Sequence, residues 1–500
     1  MAVSNDREGA VQHIAPAQNP IHPHNHRSHR AGSLKRTRLG TKLRFVLSCL
    51  LCTLSGPAIV AQIDQPTGRA LLISDVHLDP LADPAIVKQL IASPFEQWEA
   101  IFQSSQQKSL SPYGSDTNYP LFSATLDAVS AQAPSDYVIF TGDALRHNFA
   151  QAFVAAGGTP DQYPAFAEKT EAFVLQELQN RLKVPVLATL GNNDSSCGDY
   201  QIPPNSPFLA AAADQLKVLA TSPEAKSTFQ MGGFFSIAHP TVANQDIIVL
   251  NTIFWSTAYK SCAPDSGDPG EAEIEWLGWR LYTARVLHHG VTLAMHIPPG
   301  MDAYNSAHGK CQNPVAFWQA KYATEFGTLM STYSDVVQLA FAGHIHMDDF
   351  RVSAANPPSL PLRITPSVSP IFKNNPAFSV MTYNLTTASV SDITTFFFAL
   401  SSQTPSWSKE YQFSSAYGVS SFSAANLSTI SAAIRSGGNA RTIFENDYAV
   451  STPSPITSSN FSFYSCAQTN FTTAGYSNCV CGAAPAASPK HAPQPNIRQK

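Results

Sequence analysis

Residues 70–77 read Ala70-Leu71-Leu72-Ile73-Ser74-Asp75-Val76-His77. Four apolar residues run straight into a carboxylate and an imidazole two positions apart. A short, wholly apolar run fits a strand buried on both faces that delivers polar residues at its C-terminal end. Asp75 and His77 then fall on the same side of an extended segment, where they can chelate one cation. Taken alone, a capping Asp beside a hydrogen-bonded His is the plainer reading.

The same arrangement recurs along the chain. Residues 137–140 run into Thr141-Gly142-Asp143, and residues 184–190 into Gly191-Asn192-Asn193-Asp194. Residues 247–250 end at Asn251, residues 291–295 at His296, and residues 336–341 at Ala342-Gly343-His344-Ile345-His346. Helix-like stretches at 84–92, 163–182 and 271–287 separate several of these strands. Strand–loop–helix alternation predicts an α/β layered domain with central sheets. Ligands of such sheets bind beyond the carboxyl ends of the strands, so six strands are expected to aim their polar ends at one edge.

The donors at that edge are Asp75, His77, Asp143, Asn192, His296, His344 and His346. Each of these motifs alone is ambiguous; together they are a metal-binding set. Nitrogen and oxygen donors without thiolate suit a pair of divalent ions, Zn first, with Mn or Fe also compatible, and do not suit a structural zinc. Buried acids and imidazoles in such number need partners, and shared cations satisfy them together.

In order, these segments read Asp-x-His, Gly-Asp, Gly-Asn-Asn-Asp, an isolated His and Gly-His-x-His. The series resembles the calcineurin-like metallophosphoesterase superfamily across residues 75–346. The resemblance implies a sandwich of two mixed β-sheets flanked by helices, with two ions about 3.5–4 Å apart. By that analogy Asp75, His77 and His346 hold one ion, Asn192, His296 and His344 hold the other, and Asp143 bridges them. Thr141 to His147, His296-Ile297-Pro298-Pro299-Gly300, Gly343 to Asp348, Thr365 to Pro370 and Asn375-Pro376 are similar to acid sphingomyelinase-like phosphodiesterases. Arg146-His147 and Gly-Asn-Asn-Asp look more like the related endopolyphosphatases.

One position departs from the superfamily pattern. Where a transition-state histidine usually follows the ligand Asn, this chain has Asn193. An amide donates a hydrogen bond but supplies neither positive charge nor a proton. Either Asn193 does a weaker version of that job, or His147, four residues past Asp143, protonates the leaving oxygen. The alternative for His147 is to orient a ligand, as is expected of Asp194. The implied function is a binuclear, metal-dependent phosphodiesterase acting on a small phosphodiester. A phosphoanhydride hydrolase working on polyphosphate or nucleotides is the runner-up, and a metal-binding protein that lost turnover is the third reading.

Composition bounds the rest. Residues 1–61 hold eight Lys/Arg against two Asp/Glu, a net of +6, so the remainder of this chain of net charge −4 carries −10. That balance gives no general attraction to duplex nucleic acid. Lys35, Arg36, Arg38, Lys42 and Arg44 precede an apolar run at 45–59 that ends in small residues, the order of a secretory signal. The run is too short for a comfortable membrane span, so a secreted or periplasmic protein is expected. The six cysteines beyond it (Cys197, Cys262, Cys311, Cys466, Cys479, Cys481) then suit disulfides, with fifteen pairings open. The predicted organisation is a leader and signal over 1–61, a catalytic domain over 62–400, a small, mostly helical accessory segment over 401–482, and a tail over 483–500. The catalytic motifs follow soon after the signal, leaving no room for a lipid-presenting domain before them, which disfavours bilayer sphingomyelin. The absence of a Lys/Arg stripe disfavours long polyphosphate.

Overall fold

The computed structural model of the protein describes residues 66–263 and 267–482. Fourteen strands are formed among them: β1 (Thr67–Ile73), β2 (Tyr137–Phe140), β3 (Val186–Ala188), β4 (Phe235–Ala238), β5 (Gln245–Val249), β6 (Gly290–Ala294), β7 (Met301–Asp302), β8 (Val315–Ala316), β9 (Val337–Ala342), β10 (Asp349–Ser353), β11 (Ser359–Ile364), β12 (Ala377–Asn384), β13 (Val390–Phe398) and β14 (Trp407–Gln412). The signal-like run and the tail expected past 482 lie outside the described residues. Among the described residues no helix is long and apolar enough to cross a membrane.

Two six-stranded mixed sheets form, in the orders β14-β13-β12-β1-β2-β3 and β10-β11-β9-β6-β5-β4, while β7 and β8 make a small hairpin. The apolar runs of β1, β2, β6 and β9 lie at sheet centres, where both faces are covered and alternation is unnecessary. β1, β2 and β3 run parallel with Ile73 level with Phe140 and Phe140 with Ala188. In the second sheet β5, β6 and β9 are likewise parallel, with Ala294 level with Phe341. Parallel register makes their carboxyl ends coincide, so the polar clusters of both sheets reach the same edge.

Helices cover the outer faces. Tyr163–Leu182 buries Phe166, Phe173 and Leu178, with the tilted rings of Trp98 and Phe102 packed against its aromatic residues. Pro269–Leu287 is N-capped by Asp268, whose side chain accepts from Glu271 N–H. These match the expected helices closely, whereas the one expected over 84–92 begins only at Val87.

The chain beyond residue 400 is more entwined than an appended segment. β14 pairs with β13 and extends the first sheet. The helices Ala424–Ser436, Asn439–Asp447, Phe461–Ala467 and Thr473–Cys481 follow, so the helical character expected there is present. Asp348, just past the Gly-His-x-His motif, fastens this region: it pairs with buried Arg363 and accepts from Tyr411 Oη at 2.8 Å and Thr395 Oγ1 at 2.9 Å. All six described cysteines pair, as Cys197–Cys262, Cys311–Cys481 and Cys466–Cys479.

Candidate metal centre

The ligands expected from the sequence converge where the two sheets meet. Their backbone is not the extended segment the Asp-x-His spacing suggested: Asp75, His77, Asp143, His344 and His346 all lie at positive φ, between 45° and 73°. Residues of this type hold left-handed conformations only where the surroundings over-determine them. Here the turns are locked to one another, with Asp75 N–H donating to Gly142 O and His77 N–H to Asp143 O, each at 2.9 Å. Gly343 N–H donates to His296 O at 2.9 Å. Two glycines are needed for close approach: a Cβ on Gly191 would stand 2.0 Å from Asp143 Oδ1, and one on Gly343 would stand 2.1 Å from Ser74 Oγ.

Asp143 occupies the middle. Its Oδ2 lies 3.4 Å from His77 Nε2 and 3.2 Å from His296 Nε2. On one side, His77 Nε2 is 3.1 Å from His346 Nε2, and His346 Nε2 is 3.4 Å from Asp75 Oδ1. On the other, His296 Nε2 is 3.1 Å from Asn192 Oδ1, and His344 joins Asp143 and His296 within ligand-sharing distance. Around a four-coordinate ion with bonds of ~2.0 Å, ligand atoms stand about 3.3 Å apart. The spacings therefore fit two adjoining coordination shells that share Asp143.

The hydrogen bonds behind the ligands support the same fit. His77 Nδ1–H donates to Leu145 O at 2.8 Å and His296 Nδ1–H to Thr141 O at 2.6 Å. Each ring thus turns its Nε2 lone pair inward, as metal-ligating imidazoles do. Asn192 Nδ2 donates to Asp199 Oδ1 at 2.7 Å, which points its carbonyl oxygen at His296. Lone pairs facing one another across 3.1 Å repel unless a proton or a cation lies between them. Burial lowers the basicity of His77, but the charges of Asp143, Asp75 and Asp116 outweigh it and push its pKa up to about 10. His296 is pushed up to about 9 against burial, chiefly by Asp143. His344 falls to about 3 through burial and the cationic His296 beside it. Divalent ions seated among these carboxylates and ring nitrogens would take the place of the protons that this balance otherwise calls for.

Asp194 braces this core. Its two oxygens accept from the N–H groups of Gly191, Asp143, Ala144 and Leu145 at 2.7–3.1 Å. Asn193 donates to Asp143 twice, from its N–H at 2.8 Å and its Nδ2 at 3.1 Å.

His147 stacks on His77 at 4.0 Å and shares a possible ligand position with His77 and His346. Its Nδ1 binds Asp116 Oδ1 at 2.9 Å and its N–H donates to Asp116 Oδ2 at 3.1 Å. Arg146, which precedes His147 in the chain, is engaged by Asp79 at 3.1 Å. Sequence reasoning missed Asp116, Asp199 and Tyr200, because none of them follows an apolar strand. Tyr200 sets its hydroxyl 3.5 Å from His344 Nε2. Asn251, the end of the β5 run, takes no part in the cluster: its Nδ2 donates to Gly232 O and its N–H donates to Glu273 Oε1.

Comparison with known proteins agrees with this geometry. The calcineurin-like phosphoesterase family model matches residues 68–348, more than half of the chain. The chain is similar to sphingomyelinase phosphodiesterase D of Dictyostelium discoideum, 26% identical over 391 residues, covering 72% of this chain and 83% of that protein. It is similar to acid sphingomyelinase-like phosphodiesterase 3b of Homo sapiens, 28% identical over 392 residues, covering 73% of this chain and 79% of that protein. It also resembles an endopolyphosphatase of Neurospora crassa, 26% identical over 302 residues, but that match covers 57% of this chain and 37% of that protein. With its strand-end ligand pattern and the family match running through all of it, the chain belongs to the calcineurin-like phosphoesterase family, whose members are metal-dependent phosphoester hydrolases.

Proposed function

We propose that the protein is an exported phosphodiesterase that hydrolyses small phosphodiesters with two divalent ions, zinc being the preferred pair. The observation that carries this is Asp143, one carboxylate within 3.4 Å of histidines from both ligand groups. Asp75, His77 and His346 would hold one ion, Asn192, His296 and His344 the other, with Asp143 shared. Bound there, the ions would lower the pKa of a water and neutralise the phosphoryl oxygens.

The chain's own residues do the remaining work. Asn193 and Asp194 hold Asp143 in place, so the residue that departs from the superfamily pattern acts on the shared ligand and not as a proton donor. Asp116 Oδ1 accepts the hydrogen bond of His147 Nδ1–H, which orients Nε2–H as the donor that hands a proton to the leaving oxygen. Three disulfides pairing all six described cysteines support export. The small-diester reading is favoured over long polyphosphate because Arg146, the basic side chain beside His147, is already neutralised by Asp79.

The test is hydrolysis by the purified protein of bis-p-nitrophenyl phosphate, p-nitrophenyl phosphocholine, sphingomyelin, ATP and polyphosphate, with added Zn or Mn and with chelator. Chelator-sensitive turnover of the diesters above that of ATP and polyphosphate is expected. Preference for the anhydrides would replace this reading with the runner-up. A folded, metal-loaded protein inert to the whole panel would replace it with the metal-binding one.

A further inference from the structure

Arg351, in β10, is 1% exposed, among the largest fully buried side chains of the protein. Taking a guanidinium out of water is costly unless a carboxylate and hydrogen bonds compensate it. Buried Arg363 has such a carboxylate in Asp348. Among the described residues none stands within ion-pair distance of Arg351, and Asp349 acts on it only at longer range. Its hydrogen bonds go to one loop instead. Nη1 donates to Pro299 O and Nη2 to Met301 O, the latter at 3.0 Å. That loop, Ile297 to Met301, follows the ligand His296. Its near end is fixed by Ile297, whose N–H donates to Thr252 Oγ1 at 2.9 Å and whose carbonyl accepts from Trp318 Nε1 at 3.2 Å. Pro298 and Pro299 have no N–H, so the middle of the loop can be tied only through its carbonyls. A guanidinium carries five N–H donors in a fixed fork and no acceptor, which suits two carbonyls set close together. Gly300, at φ +107°, leaves room for it: a Cβ there would stand 2.6 Å from Arg351 Nη1.

The same guanidinium reaches toward the other histidine of that ligand group. Its Cζ lies 5.5 Å from the Phe317 ring centroid, within cation–π range, and Phe317 N–H donates to Gly300 O at 3.1 Å. Phe317 in turn meets the His344 ring edge-on at 5.2 Å. Carbonyls behind the rings orient His77 and His296. Among the described residues no carbonyl does so for His344, whose ring is set by Phe317, His296 and the Tyr200 hydroxyl. No hydrogen bond or ring contact of Arg351 reaches Asp75, His77 or His346 among the described residues. From this arrangement we infer that Arg351 is a positioning residue for one half of the metal centre. It holds His296 and His344, and with them the ion they share with Asn192, while the ion of Asp75, His77 and His346 is independent of it. This rests on the two-ion assignment of the proposed function.

Zinc bound per full chain, counted across a series of buffered free-zinc concentrations and read beside a melting curve, tests this. Wild type should hold two ions. Arg351→Met should keep one at the wild-type affinity and bind the other roughly 10–100-fold more weakly. Arg351→Lys, which keeps the charge but lacks the fork, should fall between the two, and it carries the test if the Met variant does not fold. In a His346→Ala background, where the group of His296 and His344 is intact, adding Arg351→Lys should weaken the remaining ion. In a His344→Ala background it should not. Equal weakening of both ions, or unchanged zinc binding in a folded variant with a lowered melting temperature, would make Arg351 a support of the fold alone and overturn the inference. Wild type holding fewer than two ions would overturn it together with the binuclear reading. Because metal is counted, the result stands whether or not the protein cleaves a diester.

Discussion

Asp75, His77, Asp143, His344 and His346 sit in a backbone region that side-chain-bearing residues avoid, at about 1–3 kcal/mol each. The cost is tolerated because it turns adjacent side chains inward within one or two residues of a strand end, which an extended chain cannot do. Asn193 and Asp194 keep Asp143 in that strained pose. Asn193→Ala removes the Nδ2 contact alone and should weaken metal binding by roughly 10–100-fold, with activity recovered at high metal concentration. Competition with a chromogenic chelator measures it, and an unaltered affinity would return Asn193 to a role at the substrate. His147 can be assigned in the same way. As proton donor, His147→Ala should keep two metals per chain and lose about 10²–10⁴-fold in kcat on alkyl esters, and far less on p-nitrophenyl esters, whose leaving group needs no proton. Metal content falling to one ion would instead make His147 a ligand, the alternative that its place beside His77 and His346 allows.

Among the elements, the parallel strands decide the site by bringing their carboxyl ends to one level, and the helices behind them carry acids of another kind. Glu273, on Pro269–Leu287, is fully buried, with one oxygen accepting from Asn251 N–H and the other without a hydrogen-bond partner among the described residues. Burial pushes its carboxyl up to about 8 from an ordinary 4.5, against the Asn251 bond. Folding therefore takes up a proton between those two values. The stability this contributes is complete below 4.5 and lost as pH rises through about 8. Glu273→Gln carries no such proton, so its stability relative to wild type should rise across that window by roughly 1 kcal/mol per pH unit. Urea unfolding of both proteins from pH 5 to 8 checks it; parallel profiles would show that Glu273 is already ionised in the folded protein.

At the scale of the whole molecule, the chain past residue 400 is secured by β14, by Asp348 and by Cys311–Cys481. That bridge closes a loop of 170 residues, against 13 for Cys466–Cys479. In the chain-entropy account, replacing the first pair by Ala should destabilise by about 2 kcal/mol more than replacing the second. Chemical unfolding of the two double variants compares them, and equal losses would place the stabilisation elsewhere than in loop closure. The candidate donors and the α/β character were legible in the sequence because a strand buried on both faces must be wholly apolar, and most such runs stopped at a donor of the cluster; the β5 run, which ends at Asn251, did not. β13 and β14 were not legible, since they lie at the outer side of the sheet with half-exposed residues and no continuous apolar signal, and the buried β12 has its apolar run broken by Ser379 and Thr382. The chain's order of motifs thus singled out the acids, amides and imidazoles that the fold gathers at one sheet edge. The tertiary structure alone decided that Asp116 holds His147, that Asp199 turns Asn192 and that the Phe372 ring packs on His346, because these contacts join loops distant in sequence through hydrogen-bond direction and ring packing, which leave no periodic trace in the chain.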